Sequence, residues 1–212
     1  MSIAVIGASR GIGRETVETA LNRGQSVRAF SRNAEALDRD DPNLEQVSGD
    51  AREPADVARA IDGASAVIMT LGIRERLAMI WEEETLFSTS TAVALAAMKD
   101  AGVKRLVVVT GLGTSESADA LSSLERIGFR FFLSKPYEDK ARQEVLVRSS
   151  ETDWTIVRPT ILTNTGPSGR YRVLVNPREW RNGLISRADV ADFLVSAATQ
   201  NTYVHQAVVL AR

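Results

Sequence analysis

Seven residues carry the first chemical signal in this chain. Gly7-Ala8-Ser9-Arg10-Gly11-Ile12-Gly13 follows a short apolar run, Ile3-Ala4-Val5-Ile6, and opens a helical pattern over 14–23. A strand that turns through glycines into a helix leaves backbone N–H groups free at the helix start, where phosphate is favoured. Each glycine has its own expected duty. Gly7 turns the chain off the strand, Gly11 lets backbone approach a pyrophosphate, and Gly13 lets helix and strand pack closely. Ser9 and Ile12 complete the expected contact surface. The chemistry this suits is dinucleotide binding; the alternative is a glycine-rich turn that has lost its ligand.

The second strand, Val27-Arg28-Ala29-Phe30, ends at Ser31 and Arg32. A site that bonds a ribose 2′-hydroxyl ends this strand with an acid. No acid stands here. Ser31 and Arg32, with Arg10 from the glycine loop, would hold a 2′-phosphate, because a guanidinium donates to phosphate oxygens in a fork. The expected cofactor is therefore NADP(H), unless Arg10 and Arg32 are solvated surface cations.

The elements that must position these residues alternate along the whole chain. Further strands are expected at Leu44-Glu45-Gln46-Val47, Ala66-Val67-Ile68-Met69, Leu106-Val107-Val108-Val109, Trp154-Thr155-Ile156-Val157 and 207–210, with a short one at 171–175. Helices are expected at 54–61, 83–101, 140–149 and 187–199. In the second of these, Leu86, Val93 and Ala97 define the apolar face. Strand–helix alternation of this kind predicts an α/β fold of the Rossmann type, doubly wound, with a mainly parallel sheet and helices on both faces. Residues 1–212 read as one domain, with an acceptor pocket formed by loops 72–82, 111–135 and 160–184 at the strand ends.

Composition narrows the function classes. Net charge is −1, so no global field draws nucleic acid or an anionic membrane. With no cysteine, disulfides and thiolate catalysis are excluded. One histidine, His205, cannot build a metal site alone and reads as structural; no metal is expected. No run of about 18 apolar residues is present, so no membrane span is expected. No signal peptide is expected either, and the cytoplasm is the expected location. Asp189 reads as a first-turn acid favoured by the helix dipole.

With these residues placed, the chain resembles the atypical short-chain dehydrogenase/reductase superfamily. Within it, the chain is most similar to the NAD(P)-binding NmrA-like group and the biliverdin reductase B/flavin reductase group. Besides the glycine loop, the likeness rests on Gly49-Asp50, on Lys140-Ala141-Arg142-Gln143-Glu144, on Asp153-Trp154-Thr155-Ile156-Val157-Arg158-Pro159 and on Ile185-Ser186-Arg187-Ala188-Asp189-Val190-Ala191. The resemblance implies that Asp50 and Ala51 lie by the adenine and that Thr70, Leu71 and Gly72 line the cofactor. It implies that Lys140 reaches the nicotinamide ribose. It places the backbone of Pro159, Thr160, Ile161 and Leu162 beside the nicotinamide, with Thr110 and Gly111 nearby.

One departure bears on the chemistry. Active dehydrogenases of that superfamily carry Tyr-x-x-x-Lys and a hydroxyl after the fifth strand. Here Pro136 stands four residues before Lys140, and Tyr137 stands three before it. Thr110, Lys140 and Tyr137 are the candidate catalytic set, Tyr137 being either a proton donor or a packing aromatic. A ketone that accepts hydride needs a positioned acid, whereas flavins, quinones and linear tetrapyrroles delocalise the added electrons and take a proton from solvent. An NADPH-dependent reductase of a conjugated acceptor, working by orientation, is the expected function. Flavin would then be a substrate, not a bound prosthetic group.

Arg170, Arg172, Arg178 and Arg181 interleave with Tyr171 and Trp180, and Arg74 and Arg76 lie near Trp81. This mix suits a planar, anionic small molecule, or else is a solvated cationic loop with structural aromatics. No nucleic-acid or membrane partner is expected, and the chain is expected to be a monomer or small homo-oligomer. The competing reading is a non-catalytic NADP(H)-binding redox sensor of the NmrA-like kind. A third is a dehydrogenase in which Tyr137 still donates a proton to a carbonyl.

Overall fold

Strands that must be buried on both faces read as unbroken apolar runs, and the computed structural model places three such runs at the sheet centre. It describes residues 1–72, 85–120 and 134–212. The strands are β1 (Ser2–Ile6), β2 (Ser26–Ser31), β3 (Leu44–Ser48), β4 (Ala66–Met69), β5 (Arg105–Val109), β6 (Asp153–Pro159), β7 (Ile161–Thr163), β8 (Arg172–Leu174), β9 (Leu184–Ser186) and β10 (Gln206–Ala211). Eight of them form one sheet in the order β3-β2-β1-β4-β5-β6-β10-β8. Every pair in it is parallel except β10–β8. The order reverses at β1, which lies between β2 and β4. That switch opens a crevice beyond the carboxyl ends of the strands, where ligands of open α/β sheets bind.

Among the described residues there are five α-helices: α1 (Gly11–Asn22), α2 (Pro54–Ile61), α3 (Leu86–Asp100), α4 (Ser134–Arg148) and α5 (Arg187–Gln200). One core layer packs Val17, Ala20 and Leu21 of α1 and Val190, Phe193 and Leu194 of α5 against Ile3, Val5 and Ile68. The other packs Val57 and Ile61 of α2, Ala94 and Met98 of α3 and Val147 of α4 against Ala4, Ile6, Val67 and Leu106. Helices thus cover both faces, as the alternation of elements requires. No helix among the described residues is long and apolar enough to cross a membrane.

Four local features differ from the sequence expectation. First, α4 starts at Ser134, six residues before 140. Pro136 does not stop it, because a first-turn N–H has no intrahelical partner to lose. Second, the buried side of α3 is Phe87, Ser90, Thr91, Ala94 and Met98, so the expected face of Leu86, Val93 and Ala97 is its half-buried flank. Residues 83 and 84 of that expected helix lie outside the described residues. Third, β7 and β9 form a separate parallel pair inside a stretch expected to be mostly loop, with Ile161 opposite Leu184. Three-residue strands carry too little alternation to be seen as a period. Fourth, residues 115–120 form a 3₁₀ turn.

Asp189 and His205 fall outside the crevice chemistry. Ser186 caps α5 by accepting from the Asp189 N–H at 2.9 Å. The buried Asp189 carboxylate accepts from Ser168 N, Ser168 Oγ and Gly169 N at 2.8, 2.7 and 3.0 Å, and so pins the 168–170 turn to the helix start. His205 sits before β10, its Nε2 3.1 Å from the Thr152 carbonyl and its ring against Trp154, at the opposite end of the sheet from the crevice.

Candidate functional site

The glycine loop is built by close backbone approach. Gly7 has φ +96°, and its N–H and that of Ala8 both donate to the Phe30 carbonyl, at 2.9 and 3.1 Å. A Cβ on Gly7 would lie 3.0 Å from Thr70 and Leu71 backbone atoms. A Cβ on Gly13 would lie 2.1 Å from the Gly7 carbonyl oxygen, so no other residue fits there without moving the helix. Gly11 has φ +55° and is roofed by the Arg187 side chain, whose Nε is 3.8 Å from where a Cβ would stand. Arg10 is extended at the N-cap of α1, and no side chain caps that end. Ser9 and Ile12 are half-buried on the same turn.

At the end of β2, Ser31 is buried and its Oγ has no hydrogen-bond partner, while Arg32 and Arg10 are exposed. A buried, unsatisfied hydroxyl beside two exposed cations is the arrangement an additional phosphate would complete. After β3, a Gly49 side chain would strike the Phe30 ring at 2.7 Å. Asp50 next to it accepts from Arg52 Nη2 at 2.7 Å and from Arg52 Nε at 3.1 Å. Those Arg52 bonds, with a smaller contribution from the Arg32 charge, hold its carboxyl down to about 2. Ala51 is buried behind it. Thr70 Oγ1 donates to the Ile6 carbonyl at 3.2 Å, which fixes the end of β4 against the glycine loop, with Leu71 and Gly72 continuing outward.

The other end of the crevice is organised around Lys140. Its ammonium donates to the Thr110 carbonyl at 2.7 Å and lies 5.1 Å from the Phe87 ring centre and 5.3 Å from that of Tyr137. Burial pushes the amine down to about 8, against the opposing pull of Glu144. Phe87 is held there because the buried Asp139 carboxylate accepts from Phe87 N at 2.8 Å, from Ser88 N at 3.2 Å and from the Ser88 hydroxyl. The Tyr137 hydroxyl packs 3.0 Å from where a Gly111 Cβ would stand, so Gly111 makes room for it. Tyr137 and Lys140 share the early turns of α4, three residues apart and on neighbouring faces. Thr110 is buried and gives its hydroxyl proton to Glu144 Oε1 at 2.8 Å. Beyond β6, Pro159 and Thr160 are buried, Thr160 Oγ1 donating to the Leu210 carbonyl at 3.0 Å. Ile161 and its β9 partner Leu184 are 56% and 55% exposed, a small apolar wall at the crevice edge, with Leu162 half-buried behind.

Comparison with known proteins settles what the glycine loop belongs to. The family model described as NAD(P)H-binding matches residues 7–201. The chain belongs to the NAD(P)H-binding family. A chloroplastic protein of Arabidopsis thaliana is 31% identical to this NAD(P)H-binding chain over 206 residues, covering 93% of it and 72% of the plant protein. Two solved structures share its fold over its full length. ChuY, an anaerobilin reductase of Escherichia coli O157:H7, aligns with TM-score 0.80 and 24% identity over 97% of its own chain. A short-chain dehydrogenase/reductase of Veillonella parvula in complex with NADP aligns with TM-score 0.84 and 16% identity over 94% of its chain. The Gly7–Gly13 cradle and the unsatisfied Ser31 hydroxyl are consistent with a dinucleotide in this NAD(P)H-binding protein.

The expected acceptor side is reorganised. Arg170, Arg172, Arg178 and Arg181 are exposed, but the two aromatics between them face inward. Tyr171 donates to Asp192 at 2.6 Å and packs edge-on to Phe193, and burial together with Asp192 raises its hydroxyl pKa. Trp180 is buried, donates to the Leu174 carbonyl at 3.0 Å and carries the Arg158 guanidinium on its ring. Both are packing residues, not an exposed platform between cations. Arg74, Arg76 and Trp81 lie outside the described residues, as does most of the expected 72–82 loop and the 121–133 part of the 111–135 loop. Sequence reasoning missed Arg187, whose Nη1 reaches Asn164 Oδ1 at 2.6 Å above Gly11, and it gave Glu144 and Arg158 no role. Arg158 had left a signal: a charge at the end of an otherwise apolar strand requires a buried partner.

Proposed function

We propose that this protein is an NADPH-dependent reductase of a conjugated acceptor such as a flavin, a biliverdin-like pigment or a quinone. The observation that carries this reading is the proton arrangement around Lys140. Thr110, which would supply a hydroxyl to a carbonyl substrate, has committed its proton to the buried Glu144 carboxylate. Its carbonyl, not its hydroxyl, serves the site by holding Lys140. Tyr137 stands three residues from Lys140 instead of four and lies against Gly111. The site is thus built to hold and orient, which suffices for acceptors that need no positioned acid.

When bound, NADPH supplies the hydride, and solvent supplies the proton that completes two-electron reduction of the acceptor. The protein's own residues divide the work of binding. Backbone N–H groups at Gly11, Ile12 and Gly13 would bind the pyrophosphate, and Arg10, Ser31 and Arg32 would hold the 2′-phosphate. Asp50 and Ala51 border the adenine, and Thr70, Leu71, Gly72 and Gly111 line the crevice. Lys140 would hold the nicotinamide ribose, and the backbone from Pro159 to Leu162 would border the nicotinamide. Ile161 and Leu184 offer an apolar surface to the acceptor. The full-length fold shared with ChuY, a reductase, supports this reading.

The test is oxidation of NADPH, with NADH in parallel, in the presence of FMN, FAD, riboflavin, biliverdin and a quinone series. Turnover with at least one of these, retained in Tyr137→Phe, is expected. Tight NADPH binding with no turnover across the series would overturn the reductase reading in favour of a redox-sensing binding module. Reduction of simple carbonyls abolished by Tyr137→Phe would make it a dehydrogenase instead.

A further inference from the structure

Two charged side chains meet out of water behind the crevice, and a third, the exposed Glu116, reaches them from its rim. Glu144 is 1% exposed and Arg158 0%. Glu144 Oε1 accepts from Arg158 Nε at 2.9 Å and from Thr110 Oγ1 at 2.8 Å, and Oε2 accepts from Arg158 Nη2 at 2.5 Å. Arg158 Nη2 also lies 3.1 Å from Glu116 Oε2 on the 3₁₀ turn, and Glu116 in turn pairs with Arg148 at 2.6 Å. The remaining face of the guanidinium covers the Trp180 ring, 4.9 Å from its centre. A buried ion pair is a poor source of net stability, because desolvation cancels most of the attraction. What this one does geometrically is more specific.

We propose that Glu144 and Arg158 are positioning residues that fix Lys140 and Thr110 at the cofactor end of the crevice and tie both to the Trp180 loop at the acceptor end. Glu144 follows Lys140 by one helical turn on the same face of α4. Thr110 bonds both ends of that turn, its hydroxyl to Glu144 and its carbonyl to Lys140. The ring so closed leaves the ammonium one place to be. Arg158, at the end of β6 next to Pro159, then anchors Glu144 to the strand that leads into the nicotinamide segment. Through Trp180, whose Nε1 donates to Leu174, it reaches β8 and the far side of the crevice.

Charge acts along the same path. The groups facing Lys140 are Tyr137 and Glu144 from α4, Phe87 from α3 and the Thr110 carbonyl from β5, with Arg158 from β6 and Glu116 from the 3₁₀ turn behind Glu144. Asp139, also on α4, is turned to the start of α3. Glu144 thus supports the protonated amine and Arg158 supports Glu144.

This inference rests on the reductase reading for its acceptor end, and the experiment separates the two. NADPH affinity is measured against pH by fluorescence titration, which needs no turnover. In Glu144→Gln, which keeps the shape and the Thr110 bond but removes the charge, the alkaline loss of NADPH affinity is expected to shift toward acid by about one pH unit. Adding Lys140→Met must abolish that shift. Thr110→Val, which leaves every charge in place, is expected to weaken NADPH binding roughly fivefold with no shift. Trp180→Leu is expected to raise the KM for the acceptor several-fold and leave NADPH affinity unchanged. A Glu144→Gln protein that loses thermal stability but keeps the wild-type pH profile would overturn the proposal, as would a Thr110→Val protein with unchanged NADPH affinity. Absence of turnover in wild type would count against the reductase reading alone.

Discussion

Gly13→Ala isolates the cofactor loop from everything else in the molecule. The added methyl would lie 2.1 Å from the Gly7 carbonyl oxygen, 2.8 Å from its carbon and 2.7 Å from Thr70 Oγ1. Two of those atoms are backbone, so no rotamer relieves the clash. Restoring ordinary contact at 3.4 Å moves the start of α1 by more than an ångström away from β1. Overpacking of this kind costs about 1–3 kcal/mol. For a chain of this length, that lowers Tm by about 2–4 °C per kcal/mol. The larger effect falls on binding, since a displacement of roughly 1 Å in positioned groups loses on the order of 100-fold, or ~2.7 kcal/mol of NADPH affinity. Gly24→Ala provides the control. Gly24 has φ +69° and nothing within 4 Å of a Cβ, so alanine there pays only the left-handed strain of about 1–2 kcal/mol. Thermal melts and NADPH titrations of both variants are expected to show similar losses of Tm but a collapse of affinity only for Gly13→Ala. An unchanged Kd in Gly13→Ala would refute the assignment of this turn to the pyrophosphate.

Three other perturbations read different parts of the crevice. Removing both Arg10 and Arg32 as alanines is expected to weaken NADPH about 10- to 100-fold at low salt, each guanidinium being worth a charge-assisted bond, with little change for NADH. Equal losses for the two cofactors would rule out a 2′-phosphate clamp. Arg187→Ala is expected to weaken NADPH and NADH alike by several-fold, since its guanidinium overhangs Gly11 and the pyrophosphate is common to both; selective loss of one would place Arg187 elsewhere. Lys140→Met is expected to raise Tm at pH 7 while reducing NADPH affinity. Burial pushes the folded amine down to about 8, below the 10.5 of an exposed lysine. Between these values the unfolded chain holds the proton that the folded chain releases, so wild-type stability rises with pH across that window, by up to about 3 kcal/mol. Melts from pH 7 to 10.5 should show that rise in wild type and not in the variant; parallel curves would mean the amine is not desolvated.

How legible each part was in the sequence follows from what holds it. The parallel strands and most helices were visible because burial on both faces writes apolar runs and amphipathic periods directly into the chain. The glycine loop was visible because backbone crowding at Gly7 and Gly13 admits no other residue, and crowding is local to one turn. The start of α4 was hidden by Pro136, which reads as a break unless the helix is already known to begin beside it. The short β7 and β9 strands were hidden because their pairing joins positions more than twenty residues apart. Tyr171 and Trp180 looked like a platform among arginines because sequence gives neighbours, whereas their partners Asp192 and Arg158 come from other elements.

The two ends of the crevice therefore differ in kind. At the glycine turn, position is set by main-chain approach, and Gly7 and Gly13 are required for lack of a side chain. Around Lys140, position is set by side chains converging from five segments: Thr110 after β5, Glu116 on the 3₁₀ turn, Glu144 on α4, Arg158 on β6 and, toward the acceptor side, Trp180 in the loop after β8. A network of that kind transmits change. Discharging either of its buried members, Glu144 or Arg158, shifts the groups bonded to it, because the partner charge left behind has no water to fall back on. The exposed arginines at 170, 172, 178 and 181 lie outside it and can vary without disturbing Lys140. On the reductase reading, acceptor preference would be retuned at those arginines and at Ile161 and Leu184, while the Glu144–Arg158 pair would keep Lys140 in register with the cofactor.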